Sequence, residues 1–232
     1  MLLDKQNQVF KSLSDVEKRI TSSAKKAGRV GDEINLVAVS KAHNSEVISA
    51  ALKAGHRRFG ENRVQETKLK WPKLIELYPD TQLHLIGSLQ SNKATDAVAI
   101  FDVIETLDRP KLAKAIAKAM DVSGRRPRCL IEVNLAKEEQ KGGIFIDQLS
   151  DFLRLCKDDL SIPIVGLMCI PPFSLDPSPY FALLRKLALR YELSQISMGM
   201  SEDFETAITF GATEVRVGSA IFGTRELEKN II

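Results

Sequence analysis

The chain has 232 residues, of which 44% are hydrophobic and 27% charged, with 33 Lys and Arg against 30 Asp and Glu. This is the composition of one ordinary globular domain. The net charge of +3 is small and the basic residues are scattered, so the clustered positive charge of a nucleic-acid binder is excluded. No window approaches the ~20 apolar residues of a membrane span, and the N-terminus lacks the apolar segment of a secretion signal. We therefore expect a cytoplasmic protein with neither nucleic-acid nor membrane partners.

The three cysteines support this expectation. Cys129, Cys156 and Cys169 form no C-x-x-C pair and have no histidine at metal-ligand spacing. We expect neither a disulfide framework nor a bound metal.

Helical and strand-like segments alternate along the chain. Residues 4–28 have the apolar stripe of an amphipathic helix, and the apolar run 34–40 is typical of a buried parallel strand. Further strands are predicted at 58–59, 83–86, 101–104, 129–135, 162–168, 193–197 and 214–217. The intervening helices are predicted at 44–54, 61–77, from 91, 109–121, around 149–156, 177–190, 201–210 and after 217, with Asp108 and Asp176 as N-caps and Pro177 as a first helical residue.

This alternation indicates an α/β fold with parallel strands and right-handed crossovers. Eight strand–helix units match a (β/α)8 TIM-like barrel with an extra N-terminal helix, or a long doubly wound sheet. The doubly wound sheet is disfavoured because no G-x-G-x-x-G fingerprint follows the first strand. We expect a single barrel domain over residues 1–232, with the N-terminal helix (1–30) packed on the barrel.

Lys41 directly follows the first apolar strand. The functional residues of a barrel lie at the carboxyl ends of its strands, where partial desolvation makes a lysine amine available as a nucleophile for a carbonyl. The alternative is a lysine that reaches solvent at the rim or pairs with a carboxylate such as Glu61.

The loops after strands seven and eight are short and rich in small residues. Backbone N–H groups and the hydroxyls of Ser201 and Ser219 can converge there on an anion, and barrels most often bind a phosphate at these two loops. Glu202 and Asp203 would repel a phosphate and are expected to face solvent. The alternative is that Gly199, Gly218 and Gly223 serve only to permit tight turns.

Arg216 lies within the last strand, where a buried guanidinium requires a carboxylate, a phosphate or a ring nitrogen as its partner. A lysine that captures aldehydes, a phosphate cradle and a fixed cation on one rim describe a site for pyridoxal 5′-phosphate (PLP).

Six segments then resemble a known family in order and spacing. The segments are VSKAHN, FGENRVQE, HLIGSLQSNK, GLMCIPP, SMGMSEDFETAI and GATEVRVGSAIFGTR. They resemble the pyridoxal phosphate homeostasis protein family, which is similar to the barrel domain of alanine racemase. The resemblance covers residues 30–225.

The resemblance implies that Lys41 holds PLP as a Schiff base and that Ser201, Gly218 and Ser219 bind its phosphate. It also implies that Arg216 faces the pyridine nitrogen and that Asn62, His84 and Met200 line the pocket. Two positions depart from the commonest family pattern: Ser88 stands where many members have Pro, and Ser219 where many have Thr. The first leaves the loop shape in doubt, whereas the second keeps a hydroxyl.

The resemblance implies a role in intracellular vitamin B6 and amino-acid homeostasis without robust catalysis, and no catalytic residue is assigned. In alanine racemase, a C-terminal β-domain of a partner chain lends the second proton-transfer group, a tyrosine, and the tail 226–232 is too short to build such a domain. Tyr180, His84 or Cys169 could reach the mouth instead.

Two alternatives therefore stay open. They are a PLP-dependent racemase-like enzyme, and a barrel enzyme that forms a Schiff base between Lys41 and a phosphorylated sugar or aldehyde. Possible partners besides PLP are amino acids and PLP-dependent apoenzymes, and we expect a monomer.

Overall fold

A computed structural model describes residues 2–223 of the chain. The strands are β1 Asn35–Val39, β2 Arg58–Glu61, β3 Gln82–Leu85, β4 Val103–Leu107, β5 Arg128–Glu132, β6 Ile164–Met168, β7 Gln195–Ser197 and β8 Glu214–Val217. The helices are α1 Leu2–Lys26, α2 Ser45–Lys53, α3 Val64–Lys70, α4 Pro72–Leu77, α5 Ala94–Ile100, α6 Pro110–Ser123, α7 Leu149–Arg154, α8 Ser178–Arg190, α9 Phe204–Thr209 and α10 Ser219–Phe222. Short 3-10 turns cover Gly31–Glu33, Ser91–Lys93 and Ile146–Gln148, and a π-helical turn, Leu155–Asp159, extends α7.

The eight strands form a closed parallel barrel in chain order. Each strand pairs with its successor, and β8 closes the barrel on β1, with Asn35 opposite Glu214 and Ala38 opposite Val217. The predicted α/β class and (β/α)8 barrel are therefore confirmed. All eight carboxyl ends lie on one rim, where the chain enters the following helix or loop.

Side chains of the strands alternate between two environments, as the pleat of a strand requires. In β8, Val215 and Val217 belong to the large apolar core shared with the helices. A separate apolar cluster contains Val103, Leu130 and Met168, which occupy the alternate positions of β4, β5 and β6. This second set faces the barrel interior, so the barrel is packed rather than hollow.

The extra N-terminal helix packs on the outside of the barrel. Helix α1 contacts α2, α9 and α10 and buries Val9, Leu13, Val16 and Ile20. Arg19 donates two hydrogen bonds of 3.1 Å to Glu205, which tie α1 to α9. The single domain over residues 1–232 stays a prediction, because Arg225 and the tail 226–232 lie outside the described residues.

The predicted helix 61–77 is wrong in its continuity. Helix α3 ends at Lys70 and α4 begins at Pro72, with Trp71 between them and fully buried. Proline has no N–H to donate to the preceding turn, so the hydrogen-bond ladder breaks at this position.

The two predicted N-caps have different outcomes. The N-cap of α6 is Arg109 and not Asp108, and the Asp108 carboxylate binds the Arg109 guanidinium. Asp176 does accept a hydrogen bond of 3.0 Å from the N–H of Ser178, although α8 begins at Ser178 and Pro177 is its N-cap.

Within residues 2–223, no helix combines the length and the apolar character that crossing a bilayer requires. The cysteines at positions 129, 156 and 169 are all buried as free thiols.

The packing of α1 generates a stability prediction. Leu13 is 2% exposed, whereas Phe10 on the same helix is 58% exposed. Leu13→Ala is expected to lower the free energy of unfolding by about 3 kcal/mol, because a buried leucine leaves a cavity when it is truncated. Urea unfolding followed by circular dichroism measures this, with Phe10→Ala as the control, which should change stability by less than about 1 kcal/mol. Equal losses in both variants would show that α1 does not pack as described.

Candidate functional site

A cavity of about 730 Å³ opens at the carboxyl-end rim of the barrel. Its wall comes from β1 and β8 and from the segments that follow β1, β2, β3, β6, β7 and β8. Seven of the eight predicted site residues line it: Lys41, Asn62, Met200, Ser201, Arg216, Gly218 and Ser219. Separate parts of the chain thus place an amine, a guanidinium and two hydroxyls around one space.

His84 is the exception among the predicted residues, because it is absent from the cavity wall. Its side chain is 2% exposed and lies in the barrel interior, with Nδ1 2.8 Å from a carboxylate oxygen of Glu105. The family resemblance implied that His84 lines the pocket, but it lies within β3 and the pleat directs its side chain to Glu105 in the barrel interior.

The Arg216 side chain is 3% exposed, and three contacts orient its guanidinium. One terminal nitrogen donates to the hydroxyl of Ser197 at 2.5 Å, and the other donates to the backbone carbonyl of Cys169 at 2.9 Å. Glu105 lies 3.7 Å from the first of these nitrogens and supplies the opposite charge. An arginine has five N–H donors, and these contacts use two of them in orienting the guanidinium at the cavity wall.

Glu105 is the centre of a buried polar cluster inside the barrel. Its two oxygens bind His84 and the hydroxyl of Ser197, the latter at 2.6 Å. Glu214 lies 3.7 Å from the same His84 nitrogen. Burial alone would lower the pKa of His84, but the charges of Glu214 and Glu105 outweigh burial and raise it. Burial and the neighbouring charge of Glu105 raise the pKa of Glu214.

The three groups His84, Glu105 and Glu214 have ligand atoms within 4.8 Å of one another, which is close enough for a metal ion. Arg216 lies against the same cluster and would repel a cation, and the His84 nitrogen already binds Glu105. We therefore interpret the cluster as compensation for the buried guanidinium charge.

The turn that carries Lys41 begins directly after β1. Ala42 has a positive φ of 62°, a conformation that few residues other than glycine adopt without cost. Glu61, considered above as a partner for Lys41, is fully buried and binds Ser40 at 2.5 Å, Lys70 at 2.9 Å and Trp71 at 3.1 Å. Burial raises the pKa of Glu61, and the charge of Lys70 opposes that effect.

The two predicted anion-binding loops meet at Ser201. Its hydroxyl accepts hydrogen bonds from the N–H groups of Gly218 at 3.2 Å and Ala220 at 3.4 Å. The loops after β7 and β8 are thus joined at the cavity wall, with two backbone donors aimed at the same point.

The expectation that Glu202 and Asp203 both face solvent is wrong for Asp203. Both residues line the cavity. Asp203 is half-buried, and its carboxylate accepts a 2.6 Å hydrogen bond from the N–H of Met200. That bond shapes the loop before α9. Gly199 is required in the same loop, since φ is 93° and a Cβ there would lie 2.5 Å from the Cβ of Ala207.

None of the three residues considered as proton-transfer groups, His84, Cys169 and Tyr180, lines the cavity. Cys169 is 1% exposed, and burial raises the pKa of its thiol to about 12. Tyr180 is half-buried on α8 and does not line the cavity. Packing therefore accounts for Cys169.

Sequence reasoning missed several charged residues that lie behind the cavity wall. Glu105 lies in the middle of β4, and Glu132 and Glu214 lie at the ends of β5 and β8; a carboxylate within or beside a buried strand was the available signal. Lys70 and Glu66 gave no such signal, because charges on an amphipathic helix are ordinary. His43, which also lines the cavity, was missed because a turn histidine has many uses.

The ionisation of Glu132 generates a pH prediction. Burial and the charge of Asp108 raise its pKa to about 7, so the stability associated with the neutral carboxyl is lost as pH rises from about 4.5 through 7. Glu132→Gln removes this loss. Relative to the unchanged protein, the variant should gain about 2 kcal/mol in free energy of unfolding between pH 5 and pH 8, measured by urea titration at both values. The exposed Glu139→Gln is the control, and a gain that does not vary with pH would refute the assignment.

Three comparisons relate this fold and site to known proteins. The family model for the alanine racemase N-terminal domain matches residues 12–226. The pyridoxal phosphate homeostasis protein of Aquifex aeolicus is 39% identical over 223 residues, which is 92% of this chain and 97% of that protein. The protein of the same name from Escherichia coli K12 is 34% identical over 96% of this chain and 99% of its own.

Among solved structures, PipY of Synechococcus elongatus PCC7942 with PLP bound superimposes with a TM-score of 0.81. Its sequence is 34% identical, and the match covers 93% of this chain and 100% of PipY.

Proposed function

The chain belongs to the pyridoxal phosphate homeostasis protein family, and we propose on this basis that it binds PLP in the rim cavity and acts in vitamin B6 and amino-acid homeostasis. The observation that carries this proposal is the convergence of Lys41, Arg216 and Ser201 on one cavity. Each matches a different part of PLP: the aldehyde, the pyridine nitrogen and the phosphate.

The residues present fit this cofactor. The cavity volume lies within the range of about 300–1,000 Å³ that is usual for small-molecule sites. Asn62 lines the cavity, and its side-chain amide oxygen Oδ1 is buried without a hydrogen-bond partner, as expected of a group that contacts a ligand. Gly87 allows this placement, because a Cβ there would lie 2.4 Å from the backbone oxygen of Asn62.

The phosphate is proposed to bind at Ser201, Gly218 and Ser219. The hydroxyl of Ser201 already collects two backbone N–H donors at this point. A phosphate there gains charge-assisted hydrogen bonds from the same set, which are stronger than the neutral bonds they replace. Met200 precedes Ser201 in the cavity wall and contributes apolar surface beside the ring.

PLP supplies an aldehyde that captures amines and a ring that withdraws electrons. The Lys41 amine is proposed to add to the aldehyde carbon, with loss of one water, to form a Schiff base. Arg216 is proposed to face the ring nitrogen. Its fixed positive charge disfavours protonation of that nitrogen, so the ring withdraws electrons less strongly.

A carrier is favoured over a racemase-like enzyme. Racemisation requires a proton-transfer group on each face of the substrate. Among residues 2–223 no tyrosine lines the cavity but His43 does, so the preference for a carrier rests on the relatives, which are named pyridoxal phosphate homeostasis proteins. We propose that PLP is held reversibly and released to PLP-dependent apoenzymes in the cytoplasm, with free amino acids as competing amines.

The proposal predicts a specific covalent adduct. The purified protein with PLP should show a visible absorption band that borohydride abolishes, and mass analysis should then find a pyridoxyl group on Lys41. Lys41→Ala should lose the band, whereas Lys118→Ala, on the exposed face of α6, should keep it.

A colourless protein that borohydride leaves unmodified would refute the PLP site. It would instead favour the enzyme that acts on a phosphorylated sugar or aldehyde. An adduct on another lysine would retain PLP binding and reject Lys41.

A further inference from the structure

Behind the turn that carries Lys41, three charged side chains form a compact cluster. Lys70, near the end of α3, places its ammonium 2.9 Å from Glu61 and 2.7 Å from Glu66. Lys70 is 10% exposed and Glu61 is fully buried. We name Glu61, Glu66 and Lys70 the α3 clamp.

The clamp holds the backbone on both sides of Lys41. The ammonium of Lys70 donates to the carbonyl of Ser40 at 2.9 Å and to that of His43 at 3.4 Å. The carboxylate of Glu66 accepts from the N–H of Ala42 at 2.6 Å. The backbones of Ser40, Ala42 and His43 are therefore hydrogen-bonded to side chains of α3.

The turn requires such restraint. Ala42 has a left-handed conformation, which is unfavourable for a residue other than glycine and persists only when the surroundings enforce it. The bond from Ala42 to Glu66 is charge-assisted and short, so it enforces this conformation. The direction in which the Lys41 side chain leaves the backbone follows from it.

We propose that Glu66 and Lys70 are positioning residues that aim the Lys41 amine at the aldehyde of PLP. The proposal rests on the proposed function, since it concerns the same Schiff base. It adds two residues of α3 that do not line the cavity and to which no role is otherwise assigned. Small errors in placing a nucleophile are costly, with a displacement of about 1 Å reducing the rate by as much as ~100-fold.

The same contacts predict that Lys70 does not take the place of Lys41 in binding the aldehyde. An ammonium has three N–H donors, and the shortest contacts of Lys70 engage them with Glu61, Glu66 and Ser40. These contacts hold the Lys70 ammonium against the turn, and Lys70 does not line the cavity.

Lys68 on the same helix provides a matched control. It forms a 3.0 Å ion pair with Asp96 of α5 and points away from the Lys41 turn. Lys70→Met and Lys68→Met remove the same charge from the same helix, so they separate positioning from the general stability of α3.

The experiment compares two cofactor forms in each variant. Pyridoxamine 5′-phosphate has the ring and phosphate of PLP but no aldehyde, so its affinity reports the pocket without the Schiff base. In Lys70→Met its dissociation constant should change by less than about threefold, whereas Schiff-base formation with PLP should slow by roughly 10- to 100-fold. Lys68→Met should resemble the unchanged protein in both measurements, and Lys70→Arg should recover part of the rate.

Each outcome decides the matter. Normal Schiff-base formation in Lys70→Met overturns the positioning role, and equal weakening of both cofactor forms assigns the clamp a purely structural role. If Lys70→Met does not fold, Glu66→Ala replaces it, because Glu66 is 30% exposed and its loss removes the bond to Ala42. Failure of the unchanged protein to form any adduct on Lys41 refutes the proposed function instead.

Discussion

A guanidinium buried inside a barrel must find negative charge and hydrogen-bond acceptors in the same layer, and this requirement organises the interior of the protein. Arg216 meets it through Ser197, Glu105 and the carbonyl of Cys169. Glu105 in turn binds His84, so strands β3, β4, β7 and β8 are joined through one network. Removing a single member would leave a buried charge without its partner, which is strongly destabilising. The same network fixes the direction of Arg216 at the cavity.

The site thus has two charged supports. The interior network orients Arg216, and the α3 clamp restrains the backbone of the turn that carries Lys41. Between them, Ser201 joins the loops after β7 and β8, where the phosphate is proposed to bind. Rigid placement of an amine, a cation and a cradle suits retention of one cofactor.

Much of this architecture could be read from the sequence. The spacing of apolar residues predicted every strand approximately, and the bounds of β8 without error, because buried parallel strands are continuous apolar runs. The placement of Lys41 and Arg216 at the cavity followed from their positions at the carboxyl ends of β1 and β8. The inward position of His84 did not, since a one-residue shift in the pleat exchanges the barrel interior and the helix-facing side. The partners of Arg216 also could not be foreseen, because pairing across a closed barrel depends on register and leaves no local pattern.

A crystal structure of the protein with PLP tests the account most directly. We predict continuous density from the Lys41 side chain to the cofactor, a phosphate within hydrogen-bond distance of Ser201 and Ser219, and the Arg216 guanidinium at the ring nitrogen. The Ser40–His43 turn should keep its bonds to Glu66 and Lys70. PLP bound elsewhere, or in the cavity with its phosphate away from the β7 and β8 loops, would contradict the account.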